Sequence, residues 1–347
     1  MASSVNAQIA DQMTERLLQV QRVATGLRLD VWRQLTVLEA DILALLKMSD
    51  PTDETLLRAR RRAIESLMDE ELDSLIRHRY SALAALLTAA LLRLARQEAG
   101  IVQDIVNAAT GEATLPALPS EAALRRGVTE TLIPTPQRPT DLSAVGAEWW
   151  ERQGQSLGQR IRDSLLVGVS LEESLTQLTA RIKGTSDNAF EDGIMARART
   201  DAATVVQTQV TNAVGEAHVA TAMRNATPQL IIIHTSILDS KTSTICLARH
   251  GLRFTADTHE PLGHSIPYLG GVPYHPNCRS SFQPGVRDGG PLPEASVTAW
   301  LKQRTTAYQD ALLGPTRAQM WRAGTLSPRA LIDHLTGKPL TLEELGA

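Results

Sequence analysis

The chain contains little cysteine, few aromatic residues and no long apolar stretch. Only 2 of its 347 residues are cysteine, which excludes a small fold held together by several disulfides. No stretch approaches the ~18 uninterrupted apolar residues of a membrane span, and no basic segment followed by an apolar one opens the chain. We therefore expect neither a membrane span nor a secretion signal, and a protein that stays soluble where it is made.

An excess of charge of one sign is also absent. Lys and Arg number 35 and Asp and Glu 38, so the net charge is −3. This balance disfavours a protein that coats DNA nonspecifically, although it is compatible with a local basic patch. The strongest basic clusters, at residues 58–62 and 77–79, alternate with acidic residues. A salt-bridged, solvated helix face is therefore favoured over a DNA contact.

Length and apolar patterning predict a predominantly α-helical α+β protein with several domains, because 347 residues exceed one compact domain. Composition changes near residues 110 and 225. The predicted divisions are a helical hairpin or bundle at 1–109, a proline-rich linker with a short helix at 110–140, connecting helices at 141–187, helices packed on a small sheet at 188–290, and a C-terminal helical extension at 291–347.

Individual elements follow from local signals. Apolar residues recur every three or four positions between 17 and 45, which predicts an amphipathic helix; Asp50 and Pro51 then predict a break and a second helix from about 53 towards 78 or 108. Ser170 with Glu173 has the spacing of a capping box. The clearest strand is 229–235, with weaker candidates at 251–255 and 279–283 and a long irregular loop at 256–274.

Two adjacent tryptophans, Trp149 and Trp150, point to different sides of any helix that carries them. Two such side chains seldom both fit one core. We therefore expect one of them to contact a partner or the linker.

Both cysteines lie in two short segments, 239–246 and 274–280, which read DSKTSTIC and YHPNCRS. Cys246 with His250 and His275 with Cys278 could together form a tetrahedral zinc site if the two segments meet. Two alternatives remain open: buried thiols beside a hydrogen-bonded histidine, and a disulfide between the cysteines. A nuclease of the His-Asn-His kind is disfavoured because its second metal-binding and general-base histidines are missing.

These segments resemble the signatures of the phage Mu F type head-morphogenesis family, in which a D-x-x-T turn with a following cysteine precedes HPNCR. An upstream Arg-Thr-Asp trio and an asparagine also resemble that family, with Asp201 where Glu is commoner, and the resemblance covers residues 190–345. The positions that carry it besides the cysteines and histidines are Arg199, Thr200, Asp201, Asn212, Asp239, Thr242, Pro276, Asn277 and Arg279. Members with a better metal site have further cysteines near Ser243 and Ser280, so this chain lacks half of that set.

The trio and the motif arginine suggest structural contacts. We expect Arg199, Thr200 and Asp201 to form a hydrogen-bond network against the 239–279 loops rather than a catalytic set. We expect Arg279 to bind Asp239 or a helix end.

The resemblance implies a minor head protein of a tailed bacteriophage, made in the host cytoplasm and then assembled into the virion at the portal vertex. Its implied partners are the portal protein, the major capsid protein or scaffold, and packaged DNA, with several copies around the portal. It implies no catalysis and no cofactor, apart from the zinc considered above. Two other functions stay open: a zinc-dependent hydrolase or nuclease that uses the four Cys and His residues, and a DNA-binding module that acts during packaging.

Overall fold

The computed structural model describes residues 4–48, 66, 71–134, 143–290 and 297–346. It is predominantly α-helical and carries a small antiparallel sheet, which confirms the predicted fold class. The helices are α1 (Val5–Met48), α2 (Glu71–Thr110), α3 (Glu121–Thr129), α4 (Gly146–Ser170), α5 (Leu175–Lys183), α6 (Ile194–Arg224), α7 (Thr244–Arg249), α8 (Val297–Lys302), α9 (Thr306–Leu313) and α10 (Pro315–Arg322). The strands are β1 (Ile133–Pro134), β2 (Ser143–Ala144), β3 (Leu230–Ser236), β4 (Arg253–Thr255) and β5 (Ser280–Val286).

The chain divides into two compact units. The first consists of Met1–Arg22, Leu91–Ile133 and Thr208–Ala347, and the second of Val23–Ala90 and Pro134–Gln207. The divisions fall inside α1, α2 and α6, so each of these helices contributes a segment to each unit. The predicted boundaries follow composition and do not coincide with this division by packing.

The periodic N-terminal helix is confirmed. Residues such as Leu17, Ala24 and Leu35 lie on its buried face. The predicted break after residue 48, the start of the second helix and the basic cluster at 58–62 lie outside the described residues, apart from residue 66. In the second unit, Arg79 of α2 donates to Asp41 of α1, as a salt-bridged helix face requires.

The sheet of the first unit has the order β4-β3-β5, and both pairings are antiparallel. Every residue of β3 is buried, as its run of Leu and Ile predicts. On one face, Ile232 and Phe282 join a core that also contains Ile9 from α1 and Val102 and Val106 from α2. The predicted strands are thus confirmed, and the core of this unit includes residues from the first 109.

Asn6 joins the start of α1 to the end of β5. Its side-chain amide donates to the carbonyls of Val286 (2.8 Å) and Gly290 (2.9 Å), and its side-chain oxygen accepts from the Val286 N–H (2.9 Å). Its own N–H donates to the Gly289 carbonyl at 2.9 Å. Because Val286 lies on an edge strand, Asn6 satisfies backbone groups that would otherwise be unpaired.

The proline-rich segment before α3 is extended and packed. Leu115 is buried, and the backbone of Ala117 makes two hydrogen bonds with the Asn225 amide at 2.9 and 2.7 Å. These contacts hold the segment against the end of α6 within the first unit.

One local prediction is wrong. The helix after α4 is capped by Ser174 and Gln177, not by Ser170 and Glu173, because Ser170 donates to the Leu166 carbonyl as the last residue of α4. Glu173 instead binds Arg181.

The two adjacent tryptophans are both buried within the second unit. Trp149 is 0% and Trp150 1% exposed. Trp150 lies against Tyr80 of α2, with ring centroids 6.1 Å apart. Gly154 allows this close approach, since a Cβ there would lie 3.2 Å from the Tyr80 ring.

The C-terminal helices α8 to α10 enclose a small core of their own with Trp300, Leu301 and Leu331, and this core includes Leu247 of α7. A 3₁₀ helix, Pro328–Leu331, is capped by Ser327 and packs against α7. Among the described helices, none has the length and apolar character needed to cross a membrane.

Candidate functional site

The first motif segment is a tight turn that leads into α7. The Asp239 N–H donates to the Thr242 hydroxyl at 2.8 Å, and that hydroxyl donates to the Ile237 carbonyl at 2.8 Å. Ser243 then caps α7 by accepting from the Cys246 N–H. The D-x-x-T spacing therefore sets the direction of α7 and places Cys246 on its buried side.

The second motif segment connects the long loop to β5. Asn277 has φ 61°, a left-handed conformation that asparagine tolerates better than most residues. Its N–H donates to the Thr208 hydroxyl at 3.0 Å, and the Thr211 hydroxyl donates to the Cys278 carbonyl. The part of α6 in the first unit thus holds the turn that follows Pro276.

An ion pair joins the two segments. Both terminal nitrogens of Arg279 donate to the Asp239 carboxylate, at 2.7 and 2.6 Å. The Arg279 hydrogen bonds lower the pKa of Asp239. Of the two contacts expected for Arg279, the structure has the one to Asp239.

A buried thiol and imidazole cluster forms the second connection. The Cys246 and Cys278 sulfurs are 3.6 Å apart, so both are free thiols, and the Cys246 sulfur lies 3.2 Å from His275 Nε2. The Ser243 hydroxyl is 2.7 Å from the same nitrogen, while His275 Nδ1 faces the Pro276 carbonyl at 2.8 Å.

Burial alone would raise the pKa of Cys278, but hydrogen bonds from Cys246 and His275 outweigh burial and lower it. Burial likewise opposes protonation of His275, yet its interaction with Cys278 raises the His275 pKa. The hydrogen bond to Cys278 and burial both raise the pKa of Cys246. Cys278 is therefore the more acidic of the two thiols.

Three of the four predicted metal-binding residues come together. Ligand atoms of Cys246, His275 and Cys278 lie within 4.8 Å of one another, the one such group among the described residues. A tetrahedral zinc site has S···S and S···N separations of about 3.8 and about 3.6 Å, close to the 3.6 and 3.2 Å found here. His250 is not in the group. Its Nδ1 accepts from the Ser236 N–H at 3.1 Å.

The Arg-Thr-Asp trio lies elsewhere. Arg199 binds Glu39, Asp201 lies 3.4 Å from Arg160, and the Thr200 hydroxyl donates to the Ala196 carbonyl. These partners lie on α1, α4 and α6, all within the second unit.

Asn212, the remaining motif residue upstream of the sheet, is buried in the first unit. Its amide nitrogen donates to the Gly127 carbonyl at 2.9 Å. It therefore holds the end of α3 against α6.

The sequence did not predict one buried network of charged and polar residues. Glu98 of α2 contacts His218 Nε2 at 3.3 Å, and His218 Nδ1 lies 2.9 Å from the Ser281 hydroxyl. Arg16 of α1 also binds Glu98. The order acid, imidazole, hydroxyl is that of a hydrolase triad, but Ser281 and Glu98 are 0% exposed and no substrate can reach them. The sequence offers little signal for this network, because Glu98 stands among the polar residues Arg93, Arg96 and Gln97 of α2.

The model of the family described as Phage Mu protein F like protein matches residues 155–283. This region is therefore similar to that family. The match begins within α4, upstream of the expected start of the resemblance at 190, and it ends in β5, before the C-terminal extension. No curated protein and no solved structure matches the chain.

The match suggests a phage head-related protein and a virion location. The segments 239–246 and 274–280 both fall within the matched region. There they contact each other through Asp239 with Arg279 and through Cys246 with Cys278.

Proposed function

We propose that the chain is a structural minor head protein of a tailed bacteriophage, located at the portal vertex in several copies and acting without catalysis. The supporting observation is that both motif segments use their polar groups on each other. The Asp239 to Arg279 ion pair and the Cys246 to Cys278 contact connect the two segments, and Thr242 closes a turn.

The arrangement of the motif residues favours a framework over an active site. A catalytic nucleophile must face a space that a substrate can enter. Cys246 and Cys278 are buried, and the hydroxyl in the triad-like network, on Ser281, is 0% exposed. The motif residues contact each other and hold the domain together, which suits a domain whose surface binds other head proteins.

Exposed apolar side chains support protein partners. On the part of α1 in the second unit, Leu29 is 49%, Trp32 45% and Val37 44% exposed. We assign this surface to the portal protein, with the major capsid protein or scaffold and packaged DNA as further partners. Isolated exposed apolar residues are ordinary, but three on one helix segment are suited to a contact surface.

The first test counts this chain in purified mature particles by quantitative mass spectrometry, normalised to the portal and the major capsid protein. A count of a few copies up to the number of portal subunits supports the proposal. Absence from particles contradicts a virion protein.

The second test measures binding to the purified portal protein. Leu29→Lys is expected to weaken binding at least tenfold, whereas Leu18→Lys, equally exposed at 49% but in the first unit, is expected to bind normally. Equal binding by both variants would assign portal contact to another surface.

A metal centre is the second candidate function, because Cys246, His275 and Cys278 converge with separations that suit zinc. These three residues would hold the ion, which would crosslink α7 to the HPNCR turn or, in a hydrolase or nuclease, polarise a substrate. Three ligands fall short of the four of a closed structural site, and Ser243 stands where a cysteine would complete it.

Metal content of protein purified without chelators discriminates between these functions. Less than about 0.2 zinc per chain removes the metal centre. If zinc is present, His275→Gln should lower its content and His250→Gln should not, since His250 lies outside the group. A DNA-binding role is tested separately by duplex affinity, which must fall steeply with salt.

A further inference from the structure

Arg249, the last residue of α7, is fully buried, with 0% of its surface exposed. One terminal nitrogen donates to the Pro267 carbonyl at 2.7 Å, and the guanidinium carbon lies 5.4 Å from the centre of the Tyr274 ring. Its Nε and the other terminal nitrogen, Nη1, have no hydrogen-bond acceptor among the residues that the structure describes.

This charge cannot be removed by deprotonation. A guanidinium stays protonated in proteins, and an uncompensated charge taken out of water costs several kcal/mol. No carboxylate in the described parts of the chain forms an ion pair with Arg249. Buried charged groups normally have a partner of opposite charge, and Arg249 has none among the described residues.

A second arginine increases the positive charge. Arg329 belongs to the 3₁₀ helix that packs against α7, and its Nη1 is also buried without a described acceptor. Burial and the charge of Arg249 lower the pKa of Arg329. Two cations therefore share one region of the first unit.

Two histidines that interact with these arginines supply no negative charge. Burial lowers the pKa of His234 well below its ordinary value and that of His250 to about 4, so both are neutral near pH 7. Burial raises the pKa of Tyr274, which keeps its hydroxyl protonated and able to donate. That hydroxyl interacts with the Arg249 guanidinium, and its proton has no acceptor among the described residues.

We propose that Arg249, Arg329 and Tyr274 bind a small inorganic anion of the size of chloride. The donors are Nε and Nη1 of Arg249, Nη1 of Arg329 and the Tyr274 hydroxyl, a set that suits a compact anion. Because Arg249 is enclosed, the phosphate backbone of a nucleic acid or a partner's side chain cannot reach it. The site is independent of the proposed role in the phage head.

The test is the unfolding of the full-length chain in sodium chloride and in sodium gluconate at equal ionic strength. Gluconate is too large for an enclosed site. Chloride at ten times its Kd is expected to lower the unfolding equilibrium constant about 11-fold relative to gluconate, with saturation at higher concentrations. Identical unfolding in the two salts would overturn the proposal and leave water as the partner of these donors.

Variants locate the effect. Arg249→Met removes the charge at similar length and is expected to abolish the chloride response, whereas Arg33→Met, at a side chain that is 74% exposed, is expected to keep it. A full response in Arg249→Met overturns the proposal. If Arg249→Met does not fold, Arg329→Met is expected to weaken the chloride response at least threefold. In crystals of the unaltered protein, bromide should give anomalous scattering beside Arg249. Absence of that scattering also overturns the proposal.

Discussion

Replacing Glu98 by Gln should destabilise the protein strongly although the two side chains have nearly the same shape. Glu98 is 0% exposed and balances the charge of Arg16, whose side chain is only 16% exposed, while it also contacts His218. Removal of one partner from a buried ion pair costs about 3–5 kcal/mol. Because Gln retains some hydrogen bonding, we expect a loss near 3 kcal/mol, or about 6–12 °C in Tm.

The control is Glu121→Gln. Glu121 pairs with Arg96, but both side chains are 49% exposed, and exposed pairs contribute about 0–1 kcal/mol. Urea unfolding followed by far-ultraviolet circular dichroism at pH 7 measures both variants. If the two substitutions cost the same, burial of the charge does not determine the contribution of Glu98, and the reasoning is refuted.

The pH dependence adds a second check on Glu98. Burial opposes ionisation, but hydrogen bonds from His218 and Arg16 outweigh it and lower the Glu98 pKa below its ordinary 4.5. A lowered pKa contributes stability above pH 4.5 that is lost as the pH falls through the folded-state value. The difference between the unaltered protein and Glu98→Gln should therefore shrink below pH 4.5, and a constant difference would contradict this assignment.

Three further substitutions test other contacts by urea unfolding. Asn6→Ala removes three side-chain hydrogen bonds and should cost about 2–4 kcal/mol; a loss under about 0.5 kcal/mol would show that the contacts do not stabilise the fold. Burial raises the pKa of Glu216 to about 7, so the folded state loses stability as the pH rises from 4.5 through 7. Glu216→Gln should therefore be up to about 3 kcal/mol more stable than the unaltered protein at pH 8 and equal to it near pH 4. The opposite order of stabilities would be inconsistent with a protonated Glu216. In Arg279→Lys, the lysine cannot make the two parallel hydrogen bonds to Asp239. A double-mutant cycle with Asp239→Asn should give a coupling energy of about 1 kcal/mol, and zero coupling would contradict the ion pair.

Local patterns predicted the elements whose signals are local. Apolar residues from Leu17 to Leu45 recur with the period of a helix, which predicts α1. The apolar run Ile231 to Ile233 predicts the buried strand β3. Both patterns lie within a single segment of the chain. The contact between Asp239 and Arg279 was one of the two predicted for Arg279, the other being a helix end.

The helix start between α4 and α5 shows where local information is insufficient. Ser170 with Glu173 and Ser174 with Gln177 have the same spacing, so the sequence offers two caps four residues apart. Arg181 of α5, eight residues after Glu173, decides between them. It binds Glu173, so Gln177 forms the capping box with Ser174.

Tertiary contacts also determined the outcome at Trp150 and Arg199. Tyr80 and Glu39 are their partners, and neither neighbour can be inferred from spacing because each lies on another helix, far along the chain. The same holds for the candidate metal group, where the sequence suggested four residues and packing brought three together.

The contact of Asn6 with Val286 also bears on how the protein is made. These residues are 280 positions apart, so the first helix emerges from the ribosome long before its partner strand exists. Contacts of such high sequence separation close slowly and leave apolar surface exposed meanwhile. The sheet can therefore be completed only after residue 286 has been made, and a chain that stops before residue 286 would leave the buried face of α1 without its partner strand.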